Sequence, residues 1–439
     1  MSKPRASTSH DVPPEAAASR KGYASAAEAL QMLDVRAQTL YAYVSRGWIR
    51  SVPQTGRKGH LYLREDLERM AARSRARSGH GAVAASAMHW GEPIIPTAIT
   101  EITAEGPHYR GRSAIDLARR QTPFETVAEL LWTGLWQEDE MRWPVEASAA
   151  DQRRLASLLP AGTPGDQLME VFATMTLQLG LSRGSVADRV REGRTLGAAR
   201  QIMQTLAACL GLTSPRGRYV PMQEGQSLLE AVAASLQLPP TAENLEALGA
   251  LLILLADHEL SPGTFSARIA ASSGCTLHSC IASGLCASSG LEVGRIYNRV
   301  DDFLEAGKTR AALIAQAQAL QQRGQVAPGF SHPLYPRGDP RATYLLEIAQ
   351  RRSDRDRPLA AVLGFLEFMQ EEHGLYPRHE FACVVLARQM GLSRHAPAAL
   401  FALARTAGWV AHVQEQRLAG NLLRPRAKFT GQASMRPGD

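Results

Sequence analysis

Apolar residues recur at helical spacing through most of the chain beyond residue 110. PFETVAELLWTGLW, LEALGALLILLADHEL, RAALIAQAQALQQR, LAAVLGFLEFMQEEHG and HAPAALFALARTAGWVAHVQEQ carry them three or four positions apart, the period of a helix with a buried face. Strand patterns are few and short, the best at 93–103 and 107–110. Residues 89–439 are therefore expected to be mainly α, with a small β element at the start. The run LLILLADHEL is too short to span a bilayer and ends in charges. It predicts a helix buried on nearly all sides, and no membrane association is expected.

Residues 22–78 follow a different rhythm. Ser25 with Glu28 three residues later forms a capping box, so a helix should start there. Ala29, Leu30 and Leu33 give its apolar side, and Asp34, Val35 and Arg36 make a short turn. A second helix is expected over 37–46, with Leu40 and Val44 inward and Gly47 as its stop. Two short helices across a tight turn make a helix-turn-helix, whose second helix enters the major groove of DNA. A hairpin over 50–62 carries Arg57, Lys58 and His60 at or near its tip. A third helix from Arg64 ends in Arg73, Arg75 and Arg77. The pattern SAAEAL…V…TLYAYVSRGWI…YLREDLE resembles the winged helix-turn-helix of the mercury-resistance-regulator and excisionase type. That likeness implies that Arg36, Gln38, Thr39, Tyr41 and Tyr43 face double-stranded DNA. Arg46, Arg57 and Lys58 would hold phosphates, which position a protein without reading sequence.

Charge strengthens this reading. The formal net charge of the 439 residues is +7. Residues 21–80 hold eleven Lys/Arg against five Asp/Glu, whereas residues 81–439 are neutral. Charge gathered in one short segment suits a module that meets a polyanion. Residues 1–20 have no apolar core and are read as a disordered arm rather than a secretory signal. The five cysteines are odd in number and fit no zinc or redox spacing. Cys275, His278 and Cys280 lie close together, but in an apolar helical stretch where small packing residues are expected. No metal is expected, and free thiols fit a cytoplasmic protein.

Four stretches of the body are polar in apolar surroundings: ADHELSPGTFSARIAAS, PGFSHPLYPRGDPRA, ARTAGWVAHVQEQ and RPRAKFTG. They offer His258, His332, Arg341, Arg405 and Arg424. Arginine forks pair with carboxylates, and a histidine hydrogen-bonds a ketone or hydroxyl, so the set suits a small polycarboxylate. Each stretch also resembles a citrate synthase motif, in order: ADHELNASTFAAR, GFGHPVYKNGDPRA, the near-identical ARTAGWVAHVQEQ, and RPRQLYTG. HYRGRSAIDLARRQTPFETVAELLWTG resembles that family's opening. The resemblance spans about residues 92–431 and implies a mostly α-helical homodimer with a cleft between a large and a small domain. It divides the chain into an arm (1–20), the winged helix-turn-helix (21–78), a linker (79–91), a large domain (92–294 and 393–431), a small domain (295–392) and a tail (432–439).

Carried over by position, the resemblance assigns His258, His332, Arg341 and Arg405 to oxaloacetate or a similar dicarboxylate, with His332 polarising the ketone. Arg424 would reach in from the partner subunit. The catalytic side differs. The family's SGPLHGGA is here SGLEVGRI, which puts Val293 at the catalytic histidine and Arg295 at the second glycine. Its PNVDFYSG is here PRHEFACV, which puts Glu380 at the catalytic aspartate. Valine has no donor for an enolate oxygen; Arg295 and His379 are the nearby alternatives. The resemblance thus implies a metabolite-responsive, DNA-binding regulator with weak or no synthase activity. The alternative is an active citrate or 2-methylcitrate synthase of the tricarboxylic acid cycle type, condensing acetyl-CoA or another acyl-CoA with oxaloacetate. No covalently bound cofactor is implied.

Overall fold

The computed structural model describes residues 23–33, 35–45, 49, 51–53, 59–64, 66–68, 95–138, 141–147, 149–159, 165–182, 188, 195–352 and 357–425. They divide into two compact units: Met1–Ile95 with Arg424–Asp439, and Pro96–Leu423. Within the second unit, helices of 295–392 pack against helices outside that range.

In the first unit, helix α1 (Ala26–Leu33) starts at the expected box. The Ser25 N–H donates to Glu28 Oε2 at 2.8 Å, and the Glu28 N–H donates back to Ser25 Oγ at 3.3 Å. Two of the helix's orphan donors are thereby satisfied. Helix α2 spans Ala37–Ser45. Strands β1 (Tyr23–Ala24), β2 (Ser51–Pro53) and β3 (His60–Leu63) form an antiparallel sheet in the order β1-β3-β2, with Ser51 opposite Tyr62. Residues 64 and 66–68 are helical. Ala29, Leu33, Leu40, Ile49, Tyr62 and Leu67 close a small core. Arg36, Gln38 and Tyr41 are exposed, while Thr39 and Tyr43 are half-buried. Arg46, Arg57 and Lys58, the arm and the end of the third helix lie outside the described residues.

The second unit opens with the expected β element: β4 (Thr100–Thr103), β5 (Gly106–Tyr109) and β6 (Arg112–Ser113), an antiparallel sheet in chain order. The rest is helical. The chain runs through α3 (Ala114–Arg119), α4 (Phe124–Thr133), α5 (Ala149–Ser157), α6 (Leu168–Leu181), α7 (Thr195–Cys209), α8 (Leu228–Leu236) and α9 (Ala242–Leu255). It continues through α10 (Pro262–Ser272), α11 (Leu277–Ser288), α12 (Ile296–Ala306), α13 (Arg310–Gln322), α14 (Pro340–Arg352), α15 (Arg357–His373), α16 (His379–Gln389) and α17 (Ala396–Ala419).

Two helices organise the core. The end of α9, from Ala250 to Leu255, is buried on every side, as its unbroken apolar run predicts. Helix α17 runs for 24 residues through the body with Trp409 fully buried. Gly408 is needed on it: an added Cβ would collide with Asp257 Oδ1 and lie 2.5 Å from the Ala256 carbonyl. The loop after α9 therefore rests directly on α17, and the Gly408 N–H donates to Ala256 O at 3.0 Å. No helix among the described residues is long and apolar enough to cross a membrane.

Candidate active site

The loop after α9 presents His258, and the backbone there is unusual. Glu259 has φ +56°, and Ser331, just before His332, has φ +62°. Non-glycine residues seldom adopt this left-handed region, and such positions gather at functional sites. Both histidines thus hang from constrained turns. They meet: the rings of His258 and His332 lie 5.3 Å apart, edge to face. Tyr335 completes the cluster. Its hydroxyl is 3.2 Å from His258 Nε2, and its ring centroid is 4.9 Å from that of His332.

The segments carrying His332 and Glu380 are zipped together. Phe330 bridges Pro377, Ser331 N–H donates to Tyr376 O at 3.1 Å, and Arg378 N–H donates to Gly329 O at 2.7 Å. Gly329 has φ +78°, and a Cβ there would lie 2.9 Å from Val300, so this close approach requires glycine.

Asp339 caps α14 and receives the Arg341 backbone N–H at 3.1 Å. Both of its oxygens also take the Arg341 fork, at 3.0 and 2.8 Å. The pair is fully buried. Its geometry leaves Arg341 Nη1 without a protein partner. Arg405 is likewise buried; its Nε donates to Leu255 O at 2.8 Å, its Nη1 to Ser261 Oγ at 3.3 Å, and it lies over the Phe401 ring.

Behind His258 runs a buried polar chain. Asp257 Oδ2 is 3.2 Å from His412 Nε2, Arg268 Nη1 is 3.4 Å from His412 Nδ1, and Arg268 pairs with Glu415 at 2.7 Å. All four lie within the quoted motifs, as do Tyr335 and Asp339. Their polarity in apolar surroundings is the available signal.

Both site histidines are held neutral. Burial, then the charges of Arg341 and Arg405, push His258 well below its ordinary value. Burial and Arg341 lower His332 to about 3. Its Nδ1 accepts the Leu334 N–H at 3.1 Å, so the remaining proton sits on Nε2 as a donor. Burial also lowers His278 and His379. These four groups set a pH dependence. An unfolded histidine takes a proton near pH 6.5, whereas the folded ones resist it to lower pH, so the unfolded chain binds more protons below 6.5. Stability is then complete above pH 6.5 and is lost as pH falls from there toward the folded values. Thermal denaturation should show Tm falling between pH 6.5 and 5; a Tm unchanged over that window would contradict the neutral assignment.

The positions expected to be catalytic look different. Val293 lies in the turn between α11 and α12, half-buried against the core. Arg295 is exposed. Glu380 is buried, but Arg378 grips its carboxylate with two donors, Nε at 3.0 Å and Nη2 at 2.5 Å. Burial would raise this carboxyl; His379 and Arg378 outweigh it and hold it below the ordinary value. A carboxylate so paired is a poor proton acceptor. His379 Nδ1 stands 3.4 Å from Asp339 and 3.3 Å from Glu380, without the alignment of a hydrogen bond. His332, Asp339 and His379 bring potential ligand atoms within 4.8 Å of one another. The Arg341 guanidinium already pairs with Asp339 and would repel a cation. Around Cys275, His278 and Cys280, packing dominates: a Cβ on Gly180 would strike the His278 ring, and the Cys280 thiol faces Cys275 O at 3.7 Å. Arg424, at the start of the C-terminal segment of the first unit, is exposed.

Residues 88–426 match the family model for the citrate synthase C-terminal domain. The chain belongs to the citrate synthase family. Among its relatives, citrate synthase 2 of Bacillus subtilis strain 168 is 30% identical over 199 residues, 44% of this chain and 52% of that protein. The match thus spans about half of that relative. The citrate/2-methylcitrate synthase of the same strain is 28% identical over 342 residues, 73% of this chain and 89% of that protein. Among solved structures, citrate synthase from Thermotoga maritima MSB8 superposes with a TM-score of 0.65 at 22% identity, covering 79% of this chain and 96% of that one. A ternary complex of carboxymethyl coenzyme A and oxaloacetate with citrate synthase from Thermoplasma acidophilum gives 0.64 at 21%, with the same coverage. These likenesses establish a citrate synthase fold.

Proposed function

We propose that this member of the citrate synthase family binds oxaloacetate or a similar dicarboxylate, turns it over slowly or not at all, and passes its occupancy to an N-terminal DNA-binding module. One observation carries the reading. Two neutral histidines and two buried arginines converge on one site, while the carboxylate expected to take a proton is locked by Arg378 and the imidazole position is Val293.

In this reading Arg341 Nη1 and the Arg405 guanidinium hold the carboxylates, and His332 Nε2–H donates to the keto oxygen. Citrate synthase chemistry deprotonates the methyl group of a thioester, which needs a free carboxylate and a donor to the enolate oxygen. Two such bodies, each completed by Arg424 from its partner, would present paired recognition helices to a palindromic site. Arg36, Gln38, Thr39, Tyr41 and Tyr43 are the proposed DNA-facing set, with Arg46, Arg57 and Lys58 on phosphates. The competing reading, a working acyltransferase using acetyl-CoA or another acyl-CoA, draws on the breadth of the family match and the carboxylate kept at Glu380.

Calorimetric titration of oxaloacetate into the full chain tests the site. A one-site isotherm is expected, with Arg405→Ala weakening binding by about 10²–10³-fold, the usual cost of stranding a buried charge. No saturable heat in the unaltered protein would remove the reading.

A further inference from the structure

Helix α12 begins three residues after Val293, and its second residue, Tyr297, is 1% exposed. The Tyr297 hydroxyl has no hydrogen-bond partner. Buried phenols nearly always find one, because leaving it unmade forfeits hydration without compensation. Here the hydroxyl sits where the site converges. Helix α12 packs against α16, which carries Glu380, and against α17, which carries Arg405. The Tyr297 ring lies 5.8 Å from the ring of Phe401, and Phe401 in turn carries the Arg405 guanidinium at 4.9 Å. Tyr297 interacts electrostatically with Glu380, Arg405 and Arg341. Arg341 Nη1 is likewise buried without a partner. Unspent donor capacity therefore gathers around the two arginines.

We infer that Tyr297 is a ligand-binding residue of this site, donating its phenol O–H to an oxygen of the bound dicarboxylate beside Arg341 and Arg405. The inference rests on the proposed dicarboxylate site and adds a donor that no motif of the sequence marked. Burial keeps the phenol protonated far above its ordinary range, so it donates at every working pH. It contributes a fixed, uncharged donor.

Tyr297→Phe keeps the ring and removes only the hydroxyl. In calorimetric titrations of the full chain, its oxaloacetate Kd should rise about 10–100-fold, the range for a lost hydrogen bond to an anion. The Tm of the unliganded protein should stay level or rise. A structural role predicts the reverse, a lower Tm with Kd within twofold, and would overturn the inference. The unaltered protein labelled with 3-fluorotyrosine gives a second readout, its Tyr297 resonance assigned by its loss in Tyr297→Phe. That resonance should shift on adding oxaloacetate; a resonance that does not move overturns the inference independently of folding. Failure of the underlying site is distinguishable: the unaltered protein would then bind no oxaloacetate. A protein that binds it, loses it in Arg405→Ala and keeps it in Tyr297→Phe would overturn only the role of Tyr297.

Discussion

Given oxaloacetate and acetyl-CoA, the purified protein is expected to release free CoA on the order of 10⁴-fold more slowly than a relative with the family's catalytic pair. A missing donor to a developing oxyanion costs about 10²–10³ in rate. A displaced general base costs roughly another 10². Val293 has no donor, and the Glu380 carboxylate is spent on Arg378. Repair therefore needs three changes. Val293→His with Glu380→Asp restores the residue types, and Arg378→Asn frees the carboxylate from its clamp. The triple variant should raise CoA release at least about 100-fold, whereas Val293→His alone should raise it little because the base stays paired. The assay couples released thiol to a chromophore. Turnover by the unaltered protein in the ordinary enzyme range, about 1–10³ per second, would contradict this account.

Deleting residues 1–88 is expected to remove sequence-specific DNA binding. The net charge of +7 is confined to the first eighty residues, and residues 81–439 are neutral. A neutral body has little attraction for phosphates, and specific binding usually exceeds non-specific binding by at least about 10³-fold. Mobility shifts on sites selected from a random-sequence library should show a loss of that order in the truncated protein. Tyr41→Ala, at an exposed position of α2, should weaken selected sites more than random DNA. Equal binding with and without residues 1–88 would remove the module from the account.

Features governed by local rules were legible in the sequence. The Ser25–Glu28 box forms as its spacing requires. The short hairpin opens the body, and the apolar run of α9 is buried throughout. The meeting of His258 and His332, 74 positions apart, followed only from the family resemblance. Illegible features depended on backbone conformation. Arg378 and Glu380 are two residues apart, a spacing that does not face within a helix. They pair because Arg378 precedes α16 in extended backbone, φ −87° and ψ 166°, so its side chain folds back over the first turn. The left-handed turns at Glu259 and Ser331 carry no glycine to announce them. Tyr297 reads as one more apolar position of an amphipathic helix; only the path of its neighbours leaves the hydroxyl without a partner.

The most direct test places both substrates on the protein at once. Carbon-13-labelled oxaloacetate is mixed with a slight excess of the full chain and acetyl-CoA, and followed by NMR. The account predicts a bound, shifted oxaloacetate spectrum and no citrate signal over many minutes, with the bound spectrum absent in Arg405→Ala. Formation of one equivalent of citrate within seconds, or an oxaloacetate spectrum identical to that of the free acid, would contradict it.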